Sequence, residues 1–67
     1  MKKHSLLISG HATSISLEPA FWEALAHIAA REKTSVQALI TDIDSRRAGN
    51  LSSAIRVFVL QKIIEQK

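Results

Sequence analysis

Cysteine is absent from this 67-residue sequence, which excludes disulfides, thiolate chemistry and every cysteine-bearing zinc site. Proline occurs once and glycine twice, too few for a loop-dominated or disordered chain. Aromatics are 4% of the residues while hydrophobics are 46%, so the apolar content is mostly aliphatic. Long apolar runs are missing as well. Behind Lys2 and Lys3, the run from Leu6 to Ile8 stops at Ser9, Gly10 and His11, whereas a secretory signal needs ~7–15 apolar residues and a membrane span ~20. The chain is therefore expected to be soluble and cytoplasmic. It holds no nucleophile–base set, glycine-rich phosphate loop or cofactor motif, so neither an enzyme nor a cofactor protein is expected. His4, His11 and His27 do not place two ligands on one helical face, and no metal site is expected. Asp42 and Asp44, at i, i+2, point to different sides of a helix and do not form a carboxylate pair.

What is present fits one domain, residues 1–67. A lone domain of about 60 residues buries only ~60% of the surface its unfolded chain exposes and is marginally stable. Without disulfides or a metal, self-association is the remaining remedy. Nine basic against six acidic residues give a net charge of +3, a mild lean toward polyanionic partners.

The chain divides into an extended front and a helical remainder. Thr13-Ser14-Ile15-Ser16-Leu17 alternates, which predicts a half-buried strand over about 12–17. Leu6 and Ile8 could carry the alternation backwards, with a bend or bulge at Gly10. Residues 1–10 are thus open between an arm and a strand extension. Pro19 suits a first helical position, and Phe21, Trp22, Leu25, Ile28 and Ala29 form the stripe of a helix over about 19–32, with Glu23, His27 and Arg31 opposite. Thr34-Ser35-Val36-Gln37 reads as a capping box opening a helix over about 35–47, in which Val36, Leu39, Ile40 and Ile43 face inward and Asp42 can pair with Arg46. Ala48-Gly49-Asn50 breaks and recaps the chain, with Asn50 or Ser52 as the cap. A last helix, about 51–65, carries Leu51, Ala54, Ile55, Phe58 and Val59 and also Val57, Leu60, Ile63 and Ile64. That surface exceeds one stripe and asks for a neighbouring chain. A lone strand also lacks a hydrogen-bond partner. Two chains pairing their strands antiparallel across a two-fold axis would meet both needs.

This order of elements resembles the ribbon-helix-helix DNA-binding family of the Arc and MetJ repressors. The likeness rests on Thr13-Ser-Ile-Ser-Leu17 running into Glu18-Pro19, on Ala29-Ala30-Arg31-Glu32 and on Thr34-Ser35. More narrowly, Gly10-His11 through Trp22, with Ile43-Asp44, Arg47 and Asn50-Leu-Ser-Ser-Ala-Ile-Arg56, is similar to a bacterial subfamily of short ribbon-helix-helix proteins. The resemblance implies a mostly α fold with one N-terminal strand and an additional C-terminal helix. It also implies an intertwined homodimer whose two-stranded antiparallel ribbon enters the major groove of double-stranded DNA. Carried over by alternation, Ala12, Ser14 and Ser16 face the bases, and Thr34 and Ser35 anchor a phosphate at a helix start. Lys2, Lys3 and Arg56 are further candidate phosphate contacts.

Ile15, Leu17, Phe21, Trp22, Leu39, Ile43, Ile55, Phe58 and Val59 are the expected dimer core. Trp22 would close the underside of the ribbon with its indole N–H near the edge. Two serines and an alanine lack the bidentate chemistry of Arg, Asn or Gln, each worth ~1–3 kcal/mol of base discrimination, so direct readout should be weak. The expectation is a dimeric transcriptional regulator, a repressor. The alternative is an antitoxin-like or other dimeric interaction module with weak or no sequence reading, in which Ile55, Phe58, Val59 and Ile63 hold a cognate protein such as a toxin.

Overall fold

The computed structural model describes residues 1–47 and 49–66; Ala48, in the expected break between the last two helices, lies outside them. The order is β1 (Lys2–Ile8), β2 (His11–Leu17), α1 (Pro19–Arg31), α2 (Val36–Arg46) and α3 (Leu51–Glu65). The front of the chain is therefore two strands: the segment left open between an arm and a strand extension is β1. β1 and β2 pair antiparallel from Lys2 opposite Leu17 to Ile8 opposite His11. The reason is the turn. Ser9 (φ 51°) and Gly10 (φ 83°) both hold left-handed backbone, as a two-residue type I′ hairpin requires. Gly10 thus makes a tight reversal, not a bulge, and the strand finds its partner within its own chain.

The hairpin lies on three helices. Pro19 opens α1, and Leu25, Ile28 and Ala29 are its buried positions. The helix ends in a Schellman arrangement. Lys33, in left-handed backbone at φ 55°, gives its N–H to the carbonyl of Ala30, and Thr34 N–H reaches Ala29 O at 2.9 Å. Thr34 is engaged in closing α1, which moves the cap of α2 one residue on from the expected box. The Ser35 hydroxyl accepts from Ala38 N–H at 3.0 Å, and the Gln37 amide turns instead to the hairpin, accepting from Leu7 N–H at 3.4 Å. Asn50 caps α3, accepting from Ser53 N–H at 3.1 Å.

Ile8, Ile15 and Leu17 come down from the hairpin onto Leu25, Ile28, Ala29, Leu39, Ile40, Ile43, Ile55 and Val59. Most of the residues expected in a core shared by two chains, namely Ile15, Leu17, Leu39, Ile43, Ile55 and Val59, are buried by their own chain; Phe21, Trp22 and Phe58 are partly buried against it. Two ion pairs tie α3 to the ends of α1: Arg56 to Glu18 at 2.8 Å and Lys62 to Glu32 at 2.7 Å. On α2 and just beyond it, Asp42 pairs with Arg46 and Asp44 with Arg47.

Candidate nucleic-acid interface

A hairpin on helices has one covered and one open face, and side-chain alternation assigns them. Ile8, Ile15 and Leu17 are buried, so β2 shows Ala12, Ser14 and Ser16 on the opposite face. The register adds their cross-strand neighbours: Leu7 beside Ala12, Ser5 beside Ser14 and Lys3 beside Ser16. The open face is thus Lys3, Ser5, Leu7, Ala12, Ser14 and Ser16. It is small and polar, with Leu7 as its apolar corner at 58% exposed. The Ser5 and Ser14 hydroxyls lie 3.5 Å apart across its middle. Neither strand carries a carboxylate.

Ser5 and Leu7 escape sequence reasoning because they join the face only once β1 pairs with β2. The signal for that pairing was Ser9-Gly10, a turn dipeptide between two alternating segments. The two lysines also part company. Lys3 belongs to the open face, while Lys2, opposite Leu17, has the parity of the covered one. Both sit in a strand and not in a free arm.

The covered face explains Trp22. Its indole N–H donates to the Lys2 carbonyl at 2.8 Å, and the His4 ring meets it edge-on with centroids 4.4 Å apart. Trp22 therefore fastens the first residues of β1 to α1, the underside position expected of it. At the other end of β1, the Gln37–Leu7 bond brings the start of α2 beside the hairpin. Ser35 and the open face are thus neighbouring features, with the Ser35 hydroxyl already engaged as a cap.

Arg56 is committed elsewhere. Both its Nε and Nη2 donate to Glu18 Oε1, at 3.1 and 2.8 Å, and its guanidinium lies 5.6 Å from the centroid of Phe21. Glu18 is held below the usual carboxylate range by a bond from its own backbone N–H and by Arg56. The positive charge expected at a phosphate is balanced at the β2–α1 junction. Among the described residues no cluster of three His, Asp or Glu could hold a metal ion, and no helix is long and apolar enough to cross a membrane.

The family model of the ribbon-helix-helix domain matches residues 1–63 of this chain. The chain belongs to the ribbon-helix-helix family. The chain is also similar to a solved structure, that of an uncharacterized protein from Bordetella pertussis Tohama I, at 35% identity and a TM-score of 0.83. The match covers 97% of this chain and 57% of that one, so the present chain spans little more than half the length of that protein. No curated protein matches. α3 extends the ribbon-helix-helix plan with a helix whose inner side, Ile55 and Val59, completes the core.

Proposed function

We propose that this chain is a homodimeric, DNA-binding transcriptional regulator acting as a repressor in the cytoplasm, and that it presents the open face of its hairpin to the major groove. The observation that carries this reading is the six-residue face itself: Lys3, Ser5 and Ser14 exposed together, with Ser16 half-buried beside them, on a ribbon without carboxylates. A two-stranded ribbon fits the groove, hydroxyls accept or donate to any base edge, and Lys3 supplies a phosphate contact. The start of α2 beside the hairpin offers free N–H groups to the adjoining backbone. Affinity should come mainly from phosphates and shape, because the face lacks bidentate readers.

A second reading keeps the fold as an antitoxin-like interaction module. The exposed apolar residues of α3 favour it, in altered form: Ile55 and Val59 are buried, so the groove first expected there is closed, and the available stripe is Val57, Leu60, Ile63 and Ile64.

Fluorescence anisotropy with the gene's own upstream duplex and a scrambled duplex, at two salt concentrations, separates the readings. A regulator binds the native duplex more tightly and loses affinity steeply with salt. Equal, salt-sensitive binding to both would make it a nonspecific DNA protein, and binding to neither would sink the DNA reading.

A further inference from the structure

The open face of the hairpin carries one large apolar side chain. Leu7 stands exposed there, while Ile8, next to it in sequence, is buried under the hairpin. Its cross-strand partner is Ala12, also exposed, so the end of the face beside the Ser9-Gly10 turn is an apolar step on an otherwise polar surface. The Leu7 N–H turns away from β2 and donates to the Gln37 amide of α2 at 3.4 Å. Leu7 and Ala12 are therefore a pair without ladder hydrogen bonds, the kind whose side chains stand closest, and Leu7 is held in place relative to the start of α2. We infer, on the reading that this face enters the major groove, that Leu7 with Ala12 reads thymine there by packing on its C5 methyl group.

Charge, reach and chemistry all fit that occupant. Both strands lack Asp and Glu and carry Lys2, Lys3, His4 and His11, and Glu18, just beyond β2, is paired with Arg56. An apolar step framed in this way meets a polyanion without repulsion. Side chains stand roughly perpendicular to a sheet, so Leu7 reaches further than Ala12, Ser5 and Ser14 around it and meets a base edge before they do. In the major groove the base edges offer hydrogen-bond donors and acceptors, and the C5 methyl of thymine is the apolar group among them. Leucine has no polar atom to pair with the other edges. Burying it against them leaves their donors and acceptors unsatisfied, so Leu7 selects by penalty as well as by contact. The serines bond to any base, and Leu7 adds discrimination that they lack.

Uracil differs from thymine only by that methyl group, so it isolates the contact. Anisotropy is measured at one salt concentration with the gene's own upstream duplex, made once with thymine and once with uracil. The proteins are wild type and Leu7→Ser, an exposed position whose fold is checked by far-UV circular dichroism. Wild type should bind the uracil duplex about fourfold more weakly for each methyl group buried, and Leu7→Ser should bind the two duplexes alike. Equal binding of both duplexes by wild type overturns the role of Leu7 and leaves the major-groove reading standing; that comparison needs no variant to fold. A thymine preference kept by folded Leu7→Ser also overturns it, because another side chain then reads the methyl group. Binding of neither duplex by wild type removes the DNA reading and the part of Leu7 in it together.

Discussion

Lys33 shows how much one backbone conformation can demand. It occupies the left-handed position that ends α1, where a β-carbon costs roughly 1–2 kcal/mol and glycine is the usual resident. Lys33→Gly is expected to raise stability by up to about 1 kcal/mol, the greater unfolded-state freedom of glycine offsetting part of the gain; urea denaturation measures it, and a loss of stability would mean that the lysine side chain is holding the turn. Glu18 sets a pH dependence. Its lowered pKa means that the pair with Arg56 contributes fully above the ordinary carboxylate range and is lost as pH falls through the lowered value. Between neutral and acid pH the melting temperature of wild type should therefore fall more than that of Glu18→Gln. Parallel curves would show that the pair adds nothing.

At the scale of elements, the hairpin turns on two residues. A β-carbon at Gly10 would meet nothing within 4 Å, so Gly10→Ala tests backbone strain without crowding. It should cost about 1–2 kcal/mol, while Ser9→Asn, which suits the left-handed first position of a type I′ turn, should stabilise. Thermal melts of the two variants decide; equal melting would mean that β1 is held by Trp22 and Gln37 and not by its turn. The helices were legible where patterning was local. The α1 stripe and the Asp42–Arg46 pair follow from spacing of three or four residues, and of the two caps left open for α3 the structure uses Asn50. The cap of α2 was misplaced by one residue, since Thr34 belongs to the end of α1, a competition that neighbouring helix ends settle only in three dimensions. β1 was left open because Lys2–Leu7 has little burial of its own. Of its seven residues Ile8 alone is buried, so hydrophobic alternation spoke weakly for it.

For the whole molecule, the open face makes two separable predictions. Ser14→Glu places a carboxylate at the centre of the ribbon and should abolish duplex binding with the fold unchanged; retained binding would remove the hairpin as the contacting surface. Lys3→Ala should weaken binding evenly across sequences and lower the salt slope by about one, and a sequence-selective loss would contradict its role as a phosphate contact. The pairing of Lys3 with Ser16 and of Ser5 with Ser14 makes this face one surface, and these pairings span 9 to 13 residues of chain. Arg56 carries the complementary lesson. It is 38 residues from Glu18, so no local pattern warned that its charge was already balanced.

By itself the amino-acid sequence determined what local periodicity and turn chemistry determine: three helices with their breaks, a strand ending at Leu17, a chain without thiols, and more apolar surface on the last helix than one stripe uses. The tertiary structure decided what depends on contacts across the chain. It closed the ribbon within one protomer and buried Ile55 and Val59 in the chain's own core. It also turned Val57, Leu60, Ile63 and Ile64 outward and drew Arg56 and Lys62 onto α1. The physical reason is that a residue's helical face or strand parity is fixed by its neighbours in sequence, whereas what covers that face is fixed by residues far along the chain.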